Sequence, residues 1–247
     1  GARAEDPVVA PGMPPASHTV PRTDAVLAID GTIDEAAWDG ALAFDLAVEF
    51  DPANNQPAPG RTECLIVEDG RRLYIAFRAH DPRPGEIRAH LADRDKFGND
   101  DHVGILIDSF NDERRAFGFF VNPLGVQLDF SRNEVGGDLE RQEDETWDAI
   151  WKSAGRIIAD GYEVEMAIPF SALRFPRVEG DQVWGILPVR VWPRSRGHQF
   201  GAVPIDRDRS CVLCQSVKVT GFGGITPGRN LDLYPTLTAS RTDEREE

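Results

Sequence analysis

No run of about 18 apolar residues occurs anywhere in the 247-residue sequence, so no segment of it can cross a membrane as a helix. There is no H-E-x-x-H, no G-x-S-x-G and no phosphate-binding Walker loop, which removes the zincins, the α/β-hydrolases and the P-loop enzymes in their usual forms. The five histidines, His18, His80, His90, His102 and His198, stand at no metal-ligand spacing. Positive charge is in deficit: 42 Asp and Glu face 27 Lys and Arg, a formal −15. Such an average field repels a phosphate backbone and argues against nucleic acid as a partner. Cysteine is scarce, with Cys64, Cys211 and Cys214 as the full set. A hydrophobic leader core is also missing, although Ala2-Arg3-Ala4 has the Ala-x-Ala form that a leader peptidase leaves behind, a slight pointer to export.

Turn formers are plentiful: 23 glycines and 18 prolines. Between them lie short stretches with period-two alternation of apolar and β-branched residues, the pattern of half-buried strands. The clearest case is residues 100–130. Its apolar runs, 103–107, 117–121 and 126–130, are separated by a polar turn and by Asn122-Pro123-Leu124-Gly125, which suits a type I turn. The expectation is a three-stranded antiparallel meander with Asn99, Asp100 and Asp101 at its entrance. Residues 62–68 and 72–80 read as a hairpin around Asp69-Gly70, and residues 150–168 as another around Asp160-Gly161. Residues 25–29 and 217–219 read as strands, residues 44–50 as one alternating run, and Asp34 to Trp38 as a helical turn that buries Trp38. Residues 182–192 form the longest strand candidate, with Pro188 predicting an edge position or a bulge. Long helices are absent. The fold class is therefore all-β: a two-sheet antiparallel β-sandwich, immunoglobulin-like or jelly-roll-like, with one or two short helical turns. Residues 1–23, with five prolines, read as a flexible linker; 24–228 as the sandwich; and 229–247 as the start of a further β-rich region.

Several groups could carry chemistry. Glu163 and Glu165 share one strand face, but parallel neighbours on a strand do not flank a scissile bond, so a solvated or ion-paired face is expected instead of a glycosidic acid–base pair. Residues 93–101 resemble the opening of a helix–loop–helix calcium loop, yet Phe97 takes a ligand position and Gly104 stands where a bidentate glutamate belongs. An irregular calcium site built from Asp100, Asp101 and Asp144 stays open, the last residue coming from the acidic loop 138–145. Cys211-Val212-Leu213-Cys214 lacks the helix start of a redox motif, and a local disulfide between Cys211 and Cys214 is expected in an oxidising compartment. Cys64 alternates with apolar residues and should be a buried thiol. Trp147 sits in a polar context and Trp192 at a strand end, so either can offer an aromatic face to a sugar ring.

Four stretches together resemble the family-nine carbohydrate-binding modules. They are Ile29-Asp30-Gly31-Thr32-Ile33-Asp34-Glu35-Ala36-Ala37-Trp38, the hairpin strand ending Leu73-Tyr74-Ile75-Ala76-Phe77-Arg78-Ala79, Asn99-Asp100-Asp101-His102-Val103-Gly104-Ile105-Leu106-Ile107-Asp108, and Gly161-Tyr162-Glu163-Val164-Glu165-Met166-Ala167-Ile168-Pro169-Phe170. The resemblance implies a saccharide-binding sandwich, often with structural calcium, and a sugar held between two tryptophans. On this chain the expected ligand face is Trp147, Trp192, Arg94, Asn99 and Asp100. The stretches Asp108-Ser109-Phe110-Asn111-Asp112, Val121-Asn122-Pro123-Leu124-Gly125-Val126-Gln127 and Pro227-Gly228-Arg229-Asn230-Leu231 resemble an exported bacterial subgroup in which this sandwich precedes an outer-membrane barrel. That resemblance implies a periplasmic or outer-membrane-associated domain, with a structural or interaction role as the alternative to sugar binding. A link to glycoside hydrolysis would come only through attached enzymes.

Overall fold

The computed structural model describes residues 18–135, 142–194 and 196–228. Its strands, in chain order, begin with β1 (His18–Thr19), β2 (Leu42–Asp45), β3 (Val48–Asp51), β4 (Gln56–Pro57), β5 (Thr62–Glu68), β6 (Arg72–His80), β7 (His102–Asp108) and β8 (Arg115–Val121). They continue with β9 (Gln127–Asn133), β10 (Glu143–Asp144), β11 (Lys152–Ile158), β12 (Gly161–Pro169), β13 (Trp184–Pro193), β14 (Gly197–Gly201) and β15 (Val217–Thr220). Among the described residues, helical structure is confined to single 3-10 turns such as Ala36–Gly40 and Phe170–Ala172.

The strands form two sheets. The larger has ten, in the order β10-β9-β8-β7-β13-β14-β3-β4, with β15 and then β1 continuing from β13. The smaller has five, in the order β11-β12-β6-β5-β2. All pairings are antiparallel except β1 with β15. The meander read from residues 100–130 is β7-β8-β9, and both Asp-Gly hairpins form, as β5-β6 and β11-β12.

Alternation assigns the faces. Val103, Ile105, Ile107, Phe117, Phe119 and Val121 point inward and meet Phe77, Val164 and Met166 of the smaller sheet. The opposite face of the larger sheet carries Leu106, Phe120, Phe130, Leu187 and Val189 in a separate apolar cluster. The outer face of the smaller sheet is covered as well, by Leu27, Ile33 and Trp38 packed on Leu65, Val67 and Tyr74. Each fully buried aliphatic or aromatic side chain contributes roughly 1.5–3 kcal/mol, so the three clusters supply most of the stabilisation.

The structure departs from the sequence reading in five places. Residues 25–29 are irregular, because the chain bonds to side chains instead of a strand: Ala28 N–H donates to Glu35 Oε1, and Asp30 and Gly31 N–H donate to Glu165 Oε2. The alternating run 44–50 is split between sheets, β2 in the smaller and β3 in the larger. β13 is central, not an edge: it pairs β7 on one side, and on the other β15 up to Ile186 and β14 from Val189. Pro188 falls in the interval between those two partners, so its missing N–H costs no ladder bond there. β14 lies within a stretch read as loop. Finally, residues 18–23, read as the end of the linker, belong to the fold: β1 pairs β15, Val20 is buried, and Arg22 bridges to Glu68. Residues 1–17 and 229–247, the rest of the expected linker and the expected further β-rich region, lie outside the described residues.

Candidate functional site

A groove of about 1200 Å³ runs across the outer face of the larger sheet. Its floor is Leu106, Phe120, Leu128, Phe130, Leu187, Val189 and Val191, the outward residues of β7, β8, β9 and β13. Two glycines shape that floor. Gly104 stands opposite Phe120, and Gly118 opposite Phe130. A Cβ at Gly104 would lie 2.3 Å from Phe120 Cδ1, and one at Gly118 2.4 Å from Phe130 Cζ. With no side chain beneath them, the two rings lie across the neighbouring strand and stack at 5.6 Å with an interplanar angle of 15°. Aromatic rings covering cross-strand glycines are a recognised way to stabilise a sheet.

The rim is polar. On one side, residues 205–214 form a wall closed by a disulfide between Cys211 and Cys214. Asn55 clamps its start, donating to the Ile205 carbonyl at 3.0 Å and accepting from its N–H at 2.9 Å. Glu134 holds its far end, accepting from the N–H groups of Val212 and Leu213 at 3.2 and 3.3 Å. Arg132 fans between Glu134 at 3.1 Å and Glu143 at 2.7 Å. Arg207 reaches Asp51 at 3.1 Å, and Gln199 completes the edge. His102 also lines the groove; its Nδ1 lies 2.9 Å from the Asp100 carbonyl, and burial pushes its pKa down, favouring the neutral ring. An apolar, partly aromatic floor ringed by amide, carboxylate and guanidinium groups suits a ligand with both C–H faces and hydroxyls.

The residues expected from the sequence to bind the ligand do not line this groove. Trp147 is half-buried and lies over Phe117 and Phe119, ring centroids 4.7 and 5.9 Å away, on the inner side of the sheet. Trp192 is buried, with its Nε1–H donating to Asp81 at 2.7 Å. Arg94 is bonded to Asp129 and donates to the Ala149 carbonyl at 2.7 Å, with Asp148 at 3.3 Å. Asn99 is exposed in the loop before β7. Asp100 is buried and accepts from Asn122 Nδ2 at 2.9 Å and from the His90 N–H at 2.7 Å, with His90 Nδ1 at 2.6 Å from its other oxygen. Two groupings result: Arg94 lies with the segment of Trp147, whereas Trp192, Asp81, Arg194 and Asp101 share one network. Asp100 and Asp101 are entrance residues as expected, but both Asp100 oxygens and Asp101 Oδ2 hold loops and side chains of the protein itself.

The carboxylates expected to hold calcium are engaged elsewhere. Asp101 accepts from the Arg88 N–H and from Arg194, and the exposed Asp144 turns onto Thr146. Asp100, Asp101 and Asp144 are not brought together. Among the described residues, one set of three carboxylates converges: Asp95, Asp129 and Asp148, with oxygens within 4.8 Å of one another. The Arg94 guanidinium already lies against all three. A fixed cation supplied by the chain leaves these residues a poor fit to calcium, which needs six to eight free oxygen ligands. The Glu163–Glu165 pair is also structural. Glu163 pairs with Arg156 at 3.0 Å and Arg78 at 3.8 Å, and Glu165 is buried beneath residues 30–31. Cys64 is a fully buried free thiol.

The groove-forming residues Phe120, Phe130, Gln199 and Arg207 were missed in the sequence. The signal that bears on Phe120 and Phe130 is the pairing of glycine with phenylalanine across strands, and it is legible only once the register is known.

Comparison with known proteins fits this architecture. The model of the family described as carbohydrate family 9 binding domain-like matches residues 29–187. No curated protein matches the sequence. Among solved structures, a carbohydrate-binding module of family 9 from Caldicellulosiruptor kristjanssonii in complex with cellotriose is similar, with TM-score 0.57 and 16% identity over 89% of this chain and 100% of the other. The glucose complex from the same organism gives TM-score 0.57 and 16% identity over 88% and 98% of the two chains. A Bacteroides uniformis protein solved as a candidate carbohydrate-binding protein reaches TM-score 0.64 with 15% identity over 84% and 100%.

Proposed function

The chain belongs to the carbohydrate family 9 binding domain-like family, and from that membership we propose that it is a non-catalytic saccharide-binding domain whose ligand lies in the outer groove. The observation that carries the placement is the floor of stacked Phe120 and Phe130 inside a rim of Gln199, Arg207, Asp51 and Arg132. Pyranose rings present C–H-rich faces that settle on aromatic rings, while their equatorial hydroxyls exchange hydrogen bonds with amides and charged groups at the edge. The family-nine modules of similar fold carry cellotriose and glucose, so neutral gluco-oligosaccharides are the class assigned to this groove. Catalysis is not part of the reading: the paired carboxylates are held by arginines or by backbone N–H groups, and neither flanks the groove. The Cys211–Cys214 disulfide supports an exported protein, since such bonds persist in oxidising compartments.

The test is calorimetric titration of the domain with glucose, cellobiose and cellotriose, alongside Gln199→Ala and Arg207→Ala. Wild type is expected to bind in the micromolar to millimolar range typical of weak surface recognition, roughly −4 to −8 kcal/mol, and each variant to lose several-fold in affinity. Absence of heat with every oligosaccharide, or binding that neither variant disturbs, would sink the groove as the site.

A further inference from the structure

A second pocket, about 490 Å³, is lined by Arg83, Glu86, Arg88 and Arg194. It lies where the chain leaves the smaller sheet after β6 and where β13 ends. Three guanidinium groups and one carboxylate line it, on a chain of net charge −15.

The pocket is built from below. Arg194 is nearly enclosed, its side chain 6% exposed, and is gripped by Asp81 at 2.5 Å and Asp101 at 2.8 Å. Its guanidinium also lies over the Trp192 ring at 4.7 Å, and that of Arg83 over the same ring at 5.8 Å. Trp192 is fixed by its own bond to Asp81. These contacts leave little freedom to lose when a ligand arrives. Hydrogen-bonding capacity is left over in the mouth and beneath it. Arg194 Nε, buried under the mouth, has no hydrogen-bond partner among the described residues, and Glu86 comes only to 3.8 Å from it, beyond hydrogen-bond reach. Glu86 is committed to Arg83 at 3.1 Å, and half of its side chain is exposed. Arg88 has no carboxylate partner among the described residues; its guanidinium reaches only the Arg194 carbonyl, at 3.4 Å.

We propose that this pocket is an anion subsite that takes one carboxylate, the charged group of a uronic acid residue, with Arg88 and Arg83 holding it above the anchored Arg194. Planar guanidinium groups match a carboxylate in two-pronged bonds, and such charge-assisted bonds are about twice as strong as neutral ones. Assignment of the carboxylate to an acidic saccharide rests on the saccharide-binding reading above; the anion subsite itself does not.

The test titrates the domain with glucuronate, glucose, acetate and inorganic phosphate, followed by calorimetry and by NMR shifts. Wild type is expected to bind glucuronate at least tenfold more tightly than glucose at this pocket, with affinity falling as salt rises. Arg88→Gln, an exposed position, should weaken glucuronate at least tenfold and leave cellotriose unchanged. Glu86→Gln should strengthen it several-fold by removing the competing carboxylate, an effect that a purely structural role for Glu86 would not give. Equal affinity for glucuronate and glucose, or indifference to both substitutions, overturns the proposal. Phosphate or acetate binding as tight as glucuronate, lost in Arg88→Gln, keeps the anion subsite and removes the sugar. Cellotriose binding without glucuronate binding removes this subsite alone, and the converse removes only the groove.

Discussion

Glu165 shows how far one residue's role depends on what covers it. In the sequence it shares one strand face with Glu163 and reads as solvated or ion-paired. In the fold, residues 30–31 lie over it, and one oxygen accepts from two backbone N–H groups while the other has no partner among the described residues. Burial pushes its pKa up to about 7, against the pull of those N–H groups. The protonated form is thus favoured in the folded state relative to an unfolded glutamate near 4.5. Its contribution to stability is complete below about pH 4.5 and is lost as pH rises through about 7. Glu165→Gln resembles the protonated side chain at every pH, so its melting temperature should gain on wild type between pH 5 and pH 8, by several degrees for an effect on the order of 2 kcal/mol. Parallel melting profiles for the two proteins across that range would refute the argument. Trp147 and Trp192 carry the same lesson in reverse. Each stands where a sequence allows exposure, yet one packs on Phe117 and the other bonds to a buried aspartate.

At the level of the element, the meander β7-β8-β9 determines the groove. Period two told which residues of each strand share a face, and that assignment is what the sheet displays. It could not tell which residue of one strand lies opposite which residue of the next. That register puts Gly104 under Phe120 and Gly118 under Phe130. Gly118→Ala should therefore destabilise by about 1–3 kcal/mol, as overpacking does. In a Phe130→Leu background the same change should cost less, giving a coupling of at least about 0.5 kcal/mol by urea denaturation. Strict additivity would mean that the ring does not rest on the glycine. Pro188 is a companion case. Its position looked like a strand edge, and it is tolerated in a central strand because two different partners, β15 and β14, meet beside it.

For the molecule as a whole, the two sheets are tied near their ends by the segment read as linker. β1 adds to β15, Val20 is buried, and Arg22 reaches Glu68 on β5 at 2.5 Å. A chain beginning at Asp24 should melt below one beginning at His18. Losing the burial of Val20 and the partner of the buried Glu68 is worth about 3 kcal/mol, or roughly 6–12 °C for a domain of this size. Equal melting temperatures would show that these residues only rest on the surface. The acidic character of the whole chain, by contrast, hides the arginine-lined pocket of Arg83, Arg88 and Arg194, since a net charge averages over surfaces that a ligand meets one at a time.

By itself the sequence determined the all-β class, both Asp-Gly hairpins, the meander, the inward and outward residues of its strands and the family to which the chain belongs. These follow from local rules: period-two burial, turn chemistry and the order of short motifs along the chain. Only the tertiary structure decided that residues 44–50 divide between two sheets, that Asp95, Asp129 and Asp148 close on an arginine, that both candidate tryptophans turn away from the groove, and that Phe120 and Phe130 pave it. The physical reason is common to all four. Each depends on contacts between residues far apart in the chain, and a carboxylate or an aromatic ring acquires its role from the partner the fold sets against it.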